Sequence, residues 1–330
     1  MFADLVLEGG GVKGIALVGA ISVLEERGYE FRRVAGTSAG AIVGSLVAAN
    51  VRAGELEEIM GAIDYRRFQD GSRWKDLFVG KAVALLFEHG IYEGQYLKDW
   101  LGEQLAKRNV HTFADLPYED PERRPDAEHA SRLVVMTSDI SQGCLRRLPW
   151  EYDHYGLTRA DQRVVDAVRA SMSIPFFYKP AHLKDAKGKD CWLVDGGMLS
   201  NFPIDVFDAP RGVEPRWPTF GIKLSAHPDA AQGTVNEVHD TASMAWAMLN
   251  TMTGFYDRMH IQDPAVTERT IFIDTMKVKA TDFNLKPETQ NMLFQNGRQA
   301  ALKFLDGAPG QPAWDWEAYK RKYRSGQAVA

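Results

Sequence analysis

The chain has 330 residues, of which 45% are hydrophobic and 25% are charged, and this composition excludes disordered, collagen-like and coiled-coil proteins. Its 39 lysines and arginines against 44 aspartates and glutamates give a formal charge of -5, which argues against a protein that binds nucleic acid by neutralising phosphates. Two cysteines, Cys144 and Cys191, cannot build a disulfide framework and lack the spacing of a zinc or redox site, so we expect two buried, reduced thiols.

The first fifty residues predict two consecutive units of strand, glycine-rich turn and helix. Residues 2–7 (FADLVL) form a short apolar strand, and residues 15–27 form a helix that is apolar on nearly every face and ends at Gly28. Residues 31–35 form a second strand, and residues 41–49 form a second apolar helix after the next turn. This order favours a parallel sheet with right-handed crossovers.

The remaining chain is less regular, but its apolar patterns predict further elements of the same domain. We expect residues 1–210 to form the core that carries the motifs described below, and residues 211–330 to complete the same domain with strands and helices. Residues 117–131 are polar and contain proline, which predicts a surface loop. The predicted elements are helices over residues 93–107, 161–172, 235–260 and 286–305, and strands over residues 133–137, 144–150, 191–194, 220–224 and 270–273.

No segment has the length or charge pattern of a membrane span or a signal peptide. The longest apolar runs, residues 15–24 and 77–87, fall short of the ~20 residues that cross a bilayer. Asp4 and Glu8 stand where a signal peptide carries basic residues. We therefore expect a cytoplasmic protein that can contact a membrane peripherally.

The turn after the second strand matches the GxSxG pattern of a serine nucleophile, with Gly36 and Gly40 on either side of Ser38. Small flanking residues suit a sharp turn and leave room for an acyl group to approach the hydroxyl. The helix that follows supplies unpaired N–H groups and positive potential for a developing oxyanion. The pattern and its place between strand and helix predict Ser38 as a nucleophile.

The first glycine-rich turn satisfies G-x-G-x-x-G, the pattern of a dinucleotide-binding loop. Such a loop also needs an acidic residue at the end of the second strand, whereas Glu30 precedes that strand. A second interpretation is a cluster of backbone N–H groups that stabilises an oxyanion beside Ser38, because the two turns meet at one edge of a parallel sheet. The turn consists of Gly9, Gly10, Gly11, Val12, Lys13 and Gly14.

Asp195 is the strongest candidate for the base that accepts the serine proton. It ends an apolar strand and is followed by Gly196 and Gly197, so its side chain reaches the sheet edge without steric cover. None of the eight histidines stands in a comparable turn. The alternative interpretation of Asp195 is a turn residue that bonds its own backbone.

Together these residues resemble the patatin-like phospholipase family, whose three signatures occur here in the family's order. They are the oxyanion loop over residues 9–14, the nucleophile turn over residues 36–40, and the aspartate turn over residues 195–197. Residues 170–175, Asn201, Pro203 and residues 90–94 extend the resemblance, which covers roughly residues 2–206. Lys13 stands where many members have arginine, which keeps the charge but loses the planar fork.

The resemblance implies a three-layer α/β/α fold with a mainly parallel central sheet, and a Ser38–Asp195 dyad without cofactor or metal. Ser38 attacks an ester carbonyl, Asp195 accepts the proton, and the N–H groups of Gly10, Gly11 and Val12 hold the oxyanion. A carboxylate with an ordinary pKa of about 3.9 is a weak base for this task, so the mechanism requires a desolvated Asp195. The implied substrate is a phospholipid or lysophospholipid, reached by transient contact with a membrane surface.

Two other functions stay open on the sequence alone. One is an α/β-hydrolase esterase with a Ser–Asp–His triad, in which Asp195 orients a histidine such as His260. The other is a non-catalytic nucleotide-binding module that uses the glycine loop. The apolar residues 77–87 fit either a mobile cap over the site or a core helix, and the basic residues 320–324 fit either headgroup binding or a solvated end.

Overall fold

The computed structural model describes most of the chain, with gaps between the described ranges. The described residues are 1–68, 90–120, 129–210, 213–225, 238–239, 244, 247–248, 251 and 261–324. The predicted cap over residues 77–87 lies outside them, as does most of the predicted helix over residues 235–260.

The strands and helices follow one another along the chain in the alternation that the first fifty residues predict. The strands are β1 (Phe2–Leu7), β2 (Glu30–Thr37), β3 (Gly90–Tyr92), β4 (Leu133–Asp139), β5 (Cys144–Leu148), β6 (Phe176–Tyr178), β7 (Ala181–Lys184), β8 (Asp190–Asp195), β9 (Thr219–Lys223) and β10 (Thr270–Phe272). The α-helices are α1 (Gly14–Glu26), α2 (Ala39–Ala48), α3 (Ala53–Gly61), α4 (Gln95–Ala106), α5 (Val164–Ser171), α6 (Pro264–Thr267), α7 (Pro287–Asp306) and α8 (Trp316–Tyr323).

Eight of these strands form one mainly parallel sheet with the order β10-β9-β1-β2-β4-β8-β7, and β5 pairs with β4 outside that path. β1 lies between β2 and β9 and is parallel to both, while β4 pairs antiparallel with β5 and β8. β3 and β6 form a separate two-stranded parallel sheet. Because β1 and β2 are parallel, the turns that follow them meet at the same sheet edge.

The core lies on both faces of the sheet, and successive residues of β1 alternate between the two. Leu5 and Leu7 belong to the larger cluster, which the long helices cover, and Val6 belongs to a smaller cluster on the opposite face. Among the described residues, that second face is covered by the segment around Phe202 and by α6. The predicted α/β class with a mainly parallel sheet is confirmed.

The element boundaries agree with the sequence where the apolar pattern is long. β1 has the predicted limits, and Gly28, which caps α1, has the positive φ of 79° that favours glycine. The strand predicted over residues 144–150 ends at Leu148, and Cys144 is half-buried rather than buried, so the expectation of two buried thiols was wrong for Cys144. The described helices include none that is long and apolar enough to cross a bilayer.

Candidate active site

Ser38 stands at the sharp turn between β2 and α2 in a strained backbone conformation. Its φ of 53° and ψ of -121° lie in a region that a residue with a side chain rarely adopts. A Cβ at Gly36 would collide with the carbonyl of Gly40, and a Cβ at Gly40 would collide with the carbonyl of Leu7. Glycine is therefore required on both sides of the serine for the turn to close against β1.

Asp195 ends β8 at the position opposite Thr137 of β4, and its side chain caps a short 3-10 helix over Gly196–Met198. Its Oδ1 accepts a hydrogen bond of 2.8 Å from the N–H of Gly197. The side chain is almost fully enclosed, and a Cβ at Gly196 would collide with the carbonyl of Met136. Only glycine can follow Asp195 here, because β4 passes directly beside the turn.

Burial raises the pKa of the Asp195 carboxyl to about 6, while the hydrogen bond from the Gly197 N–H and the neighbouring Ser38 hydroxyl act in the opposite direction. The removal of water is the larger effect, because it disfavours the charged form. This places a carboxylate of enhanced basicity at the serine hydroxyl.

Ser171, the last residue of α5, and Met172, which follows it, both contact Ser38. The Ser38 N–H donates to Ser171 Oγ at 2.9 Å, and the Ser38 hydroxyl lies 3.2 Å from Met172 Sδ. A thioether is a weak acceptor. The Met172 sulfur therefore leaves Asp195 as the stronger acceptor for the hydroxyl proton.

The glycine loop lies against Ser38, as its position at the same sheet edge predicts. A Cβ at Gly9 would lie 3.1 Å from Ser38 Cβ and would collide with the Asn201 side chain. Asn201 Nδ2 donates to the Gly9 carbonyl at 3.1 Å, and the Gly9 N–H donates to the Asn201 carbonyl at 3.2 Å. Asn201 therefore fixes the start of the loop through two bonds.

The three N–H groups expected to form the oxyanion site differ in their partners. Within the described part of the chain, the N–H groups of Gly10 and Gly11 have no hydrogen-bond acceptor. The N–H of Val12 donates to the carbonyl of Ala280 at 3.0 Å, so this donor is occupied in the structure. Gly11 has a φ of 57°, and a Cβ there would collide with the backbone of Ala280.

A buried ion pair connects Glu8, the residue before the glycine loop, to Lys223 of β9. The Glu8 carboxylate, which directly precedes the loop, accepts from Lys223 Nζ and from the N–H of Leu224. Lys13 Nζ lies 3.4 Å from the carbonyl of Leu224, and burial lowers the pKa of the Lys13 ammonium. These contacts tie the loop to the end of β9.

A small apolar pocket adjoins the site, and its free space of about 10 Å³ is that of roughly one water molecule. Val12 of the loop, Ala39 next to Ser38, and Met172 contribute to its wall. Its other wall residues include Ile42, Met60, Ile63, Phe68, Ile174 and Phe283. Its wall suits a hydrocarbon chain chemically, but the pocket is too small to hold one unless wall side chains move.

The structure brings Ser38, Asp195 and the glycine loop together, although they are far apart in the sequence. Asn201 entered the sequence analysis only as part of the resemblance, and residues 170–175, which contain Met172, entered it in the same way. Ala280 was missed, because no local pattern marks a carbonyl that binds the N–H of a residue 268 positions away (280 − 12).

The described histidines lie on the surface. His111, His129, His154, His182 and His239 are all exposed. None of these five forms a recorded hydrogen bond with Ser38 or Asp195. His89, His227 and His260 lie outside the described residues, so the triad through His260 stays an untested alternative.

Comparison with known proteins gives matches over nearly the whole chain. The model of the patatin-like phospholipase family matches residues 5–208. The uncharacterized protein YqhO of Bacillus subtilis (strain 168) is 33% identical over 306 residues, which are 92% of this chain and 98% of that protein. Lysophospholipase NTE1 of Mycosarcoma maydis is 26% identical over 346 residues, which cover 96% of this chain but only 15% of that much longer protein.

The fold also matches a solved structure. The crystal structure of VipD from Legionella pneumophila aligns with a TM-score of 0.50 at 19% identity, and the alignment covers 91% of this chain and 66% of that one.

Proposed function

This chain belongs to the patatin-like phospholipase family, and we propose that it hydrolyses the carboxylic esters of phospholipids or lysophospholipids through a Ser38–Asp195 dyad. The observation that carries this proposal is the buried Asp195 carboxyl at the Ser38 hydroxyl, with a pKa raised to about 6. A carboxyl of this kind is ionised at neutral pH and more basic than an exposed aspartate.

The reaction proceeds in two steps at Ser38. Its Oγ attacks the ester carbonyl while Asp195 accepts the proton, and the protonated Asp195 then donates to the departing alcohol. Water attacks the resulting acyl-enzyme with Asp195 again as the base, which regenerates the free serine. The fatty acid and the alcohol are the products, and neither step requires a cofactor.

The oxyanion of each tetrahedral intermediate is held by the N–H groups of Gly10 and Gly11. Both groups lack an acceptor among the described residues, and Gly9 places the loop against Ser38. The amino end of α2 adds positive potential at the same point. The apolar wall beside Met172 and Ala39 receives the acyl chain once its side chains move apart, which favours esters of long-chain acids over small soluble esters.

A matched pair of serine variants tests this proposal. Ser38→Ala should abolish the release of fatty acid from defined phospholipids and lysophospholipids, measured by mass, because it removes the nucleophile. Ser45→Ala is the control, since Ser45 is buried in α2 and bonds only the carbonyl of Ile42. Hydrolysis by Ser38→Ala at the wild-type rate would refute the nucleophile, and dinucleotide binding by a protein without esterase activity would favour the nucleotide-binding module.

A further inference from the structure

Residues 274–283 connect β10 to α7 and cross the glycine loop; we refer to them as the strap. The start of the strap is anchored, because Asn296 Nδ2 donates to the Asp274 carbonyl at 2.9 Å and Thr275 Oγ1 lies 3.3 Å from the Leu224 carbonyl. Its end is anchored by Phe283, whose buried ring stacks on Phe177 with centroids 5.3 Å apart and an interplanar angle of 10°.

Between these anchors the strap is held to the glycine loop by a single hydrogen bond. Among the described residues, the bond from the Val12 N–H to the Ala280 carbonyl is the only one that joins residues 276–282 to another element. The backbone of Ala280 also occupies the space beside Gly11. A carbonyl at this position engages one of the three N–H groups of the loop and repels a developing oxyanion.

The strap presents an exposed apolar side chain, Met276, with Lys277 and Lys279 after it and the exposed acids Asp274 and Asp282 further out on either side. Met276 is 63% exposed and has a φ of 55°, a conformation that is an outlier for a large side chain. Lys277 and Lys279 are exposed on the same segment, and the described residues place no carboxylate within ion-pair distance of either. Phe176, which precedes the ring that stacks on Phe283, is 42% exposed and has a φ of 66°.

Two bulky apolar side chains held at positive φ and directed toward solvent indicate a functional surface rather than packing. An exposed apolar side chain followed by two lysines complements a bilayer with anionic headgroups, because the apolar side chain can enter the acyl boundary while the lysines meet the phosphates. The overall charge of -5 works against general attraction to such a surface, and Asp274 and Asp282 offset the two lysines over the strap as a whole, so the attraction must come from Lys277 and Lys279 next to Met276.

We propose that the strap docks on anionic lipid bilayers through Met276, Lys277 and Lys279, and that docking withdraws the Ala280 carbonyl from Val12 and Gly11. In the free protein, the Ala280 carbonyl therefore occupies the Val12 N–H of the glycine loop. On the bilayer, where the lipid substrate is present, this N–H becomes available. This inference rests on the proposed lipid hydrolase function, whereas the docking itself can be measured without catalysis.

Sedimentation with vesicles tests the docking surface. The vesicles contain ether-linked phosphatidylglycerol and phosphatidylcholine, which the enzyme cannot hydrolyse. We expect Met276→Ser and the double variant Lys277→Glu/Lys279→Glu each to bind roughly tenfold more weakly than wild type. Ile140→Ser and Lys187→Glu are matched controls, because both residues are exposed on hairpins that leave the strap untouched. Equal binding by the strap variants and wild type would overturn the docking surface, as would equal binding to vesicles of phosphatidylcholine alone.

Two readouts test the release of Ala280. Ether-linked phosphatidylglycerol vesicles should raise the rate of hydrolysis of a soluble nitrophenyl ester several-fold in wild type, and much less in Met276→Ser. In Ser38→Ala, the amide hydrogen of Val12 should exchange faster when the same vesicles are added. An unchanged exchange rate in vesicle-bound protein would overturn the release. Because exchange and sedimentation need no turnover, they separate a failure of this inference from a failure of the proposed hydrolase.

Discussion

At the scale of single residues, the central feature is an aspartate that the fold encloses beside a serine. Burial raises the pKa of the Asp195 carboxyl to about 6, and the same burial costs stability whenever the group is ionised. We therefore expect the rate of ester hydrolysis to fall below about pH 6, because Asp195 is then protonated and cannot accept the serine proton. A rate that changes near pH 6 therefore does not by itself distinguish Asp195 from a histidine, whose ordinary pKa is about 6.5.

Asp195→Asn should make the protein more stable at neutral pH while it abolishes activity. The pKa of Asp195 in the folded protein, about 6, lies above the ordinary aspartate pKa of 3.8, so its contribution to stability is greatest below pH 3.8 and declines as the pH rises through 6. The difference corresponds to about 3 kcal/mol. We expect a gain of up to this size in the free energy of unfolding at pH 8 and almost none at pH 3.5, measured by urea unfolding. The exposed Asp161→Asn is the control, and a loss of stability at pH 8 in Asp195→Asn would contradict the account.

Gly11→Ala should lower the turnover number by about 10²–10³-fold, the scale of a lost oxyanion donor. Gly11 has a φ of 57°, which strains any residue with a side chain, and an added Cβ also meets the backbone of Ala280 while the strap lies on the loop. The Cβ added by Gly10→Ala meets the flexible side chains of Leu224 and Lys13 rather than backbone, so we expect a smaller loss of turnover. Gly28→Ala controls for the backbone strain, since Gly28 has a φ of 79° and open space around it. Steady-state kinetics with one lipid ester measures the turnover numbers of the three variants. A Gly11→Ala variant as active as Gly28→Ala would contradict the assignment of Gly11 as an oxyanion donor.

At the scale of elements, α1 and α7 pack so closely that their backbones touch through glycine. A Cβ at Gly19 of α1 would collide with the carbonyl of Phe294, and a Cβ at Gly297 of α7 would collide with the carbonyl of Ala16. Glycine at both positions allows this close approach, so α7 packs directly on α1, the helix that follows the glycine loop.

Gly297→Ala should therefore destabilise the protein by roughly 1–3 kcal/mol, because the helices must separate. Gly102→Ala is the matched control within another helix, α4, where the added Cβ makes an ordinary contact at 3.8 Å with Val165. Gly102→Ala should stabilise by about 0.5–1 kcal/mol through helix propensity. Thermal unfolding of both variants measures the difference, and equal melting temperatures would contradict the described packing.

The sequence predicts the elements with long apolar patterns and the short strand β10, but it misses α3 and the short strands β3 and β6. β1 and α2 were predicted from their local pattern, since each is buried over nearly its whole length. β3 and β6 have three residues each, too few to show a period, and pair only because the fold brings them together. At the site, Ser38 and Asp195 stand in glycine-framed turns that are visible locally. The contact between Ala280 and Val12 depends on a loop crossing that no local pattern reveals.

At the scale of the whole molecule, the C-terminal part of the chain joins the central sheet rather than standing apart. β9 pairs with β1, and Lys223 at the end of β9 binds the buried Glu8 carboxylate before the glycine loop. The basic residues near the C-terminus are also engaged with carboxylates, since Lys320 pairs with Glu214 and Glu317 and Lys322 pairs with Glu268. These pairs favour a structural role for the C-terminal cations over headgroup binding.

We propose that residues 211–330 complete the same domain as residues 1–210, and a fragment tests this. A fragment of residues 1–210 should lack cooperative thermal unfolding, because β1 would lose a neighbour and Glu8 would be left buried without its cation. Circular dichroism on heating shows whether a transition occurs. A sharp transition together with esterase activity would contradict the proposed single domain.

The central claim, that Asp195 is the base for Ser38, is tested most directly by the pH dependence of covalent labelling. The rate at which a fluorophosphonate probe labels Ser38 should rise through about pH 6 in wild type and then level off, following the ionisation of Asp195. In Asp195→Asn the labelling should be slow and independent of pH between 4.5 and 8.5, while the fold remains intact. A variant that is labelled as fast as wild type, or that keeps the rise near pH 6, would show that another group, such as a histidine, accepts the proton.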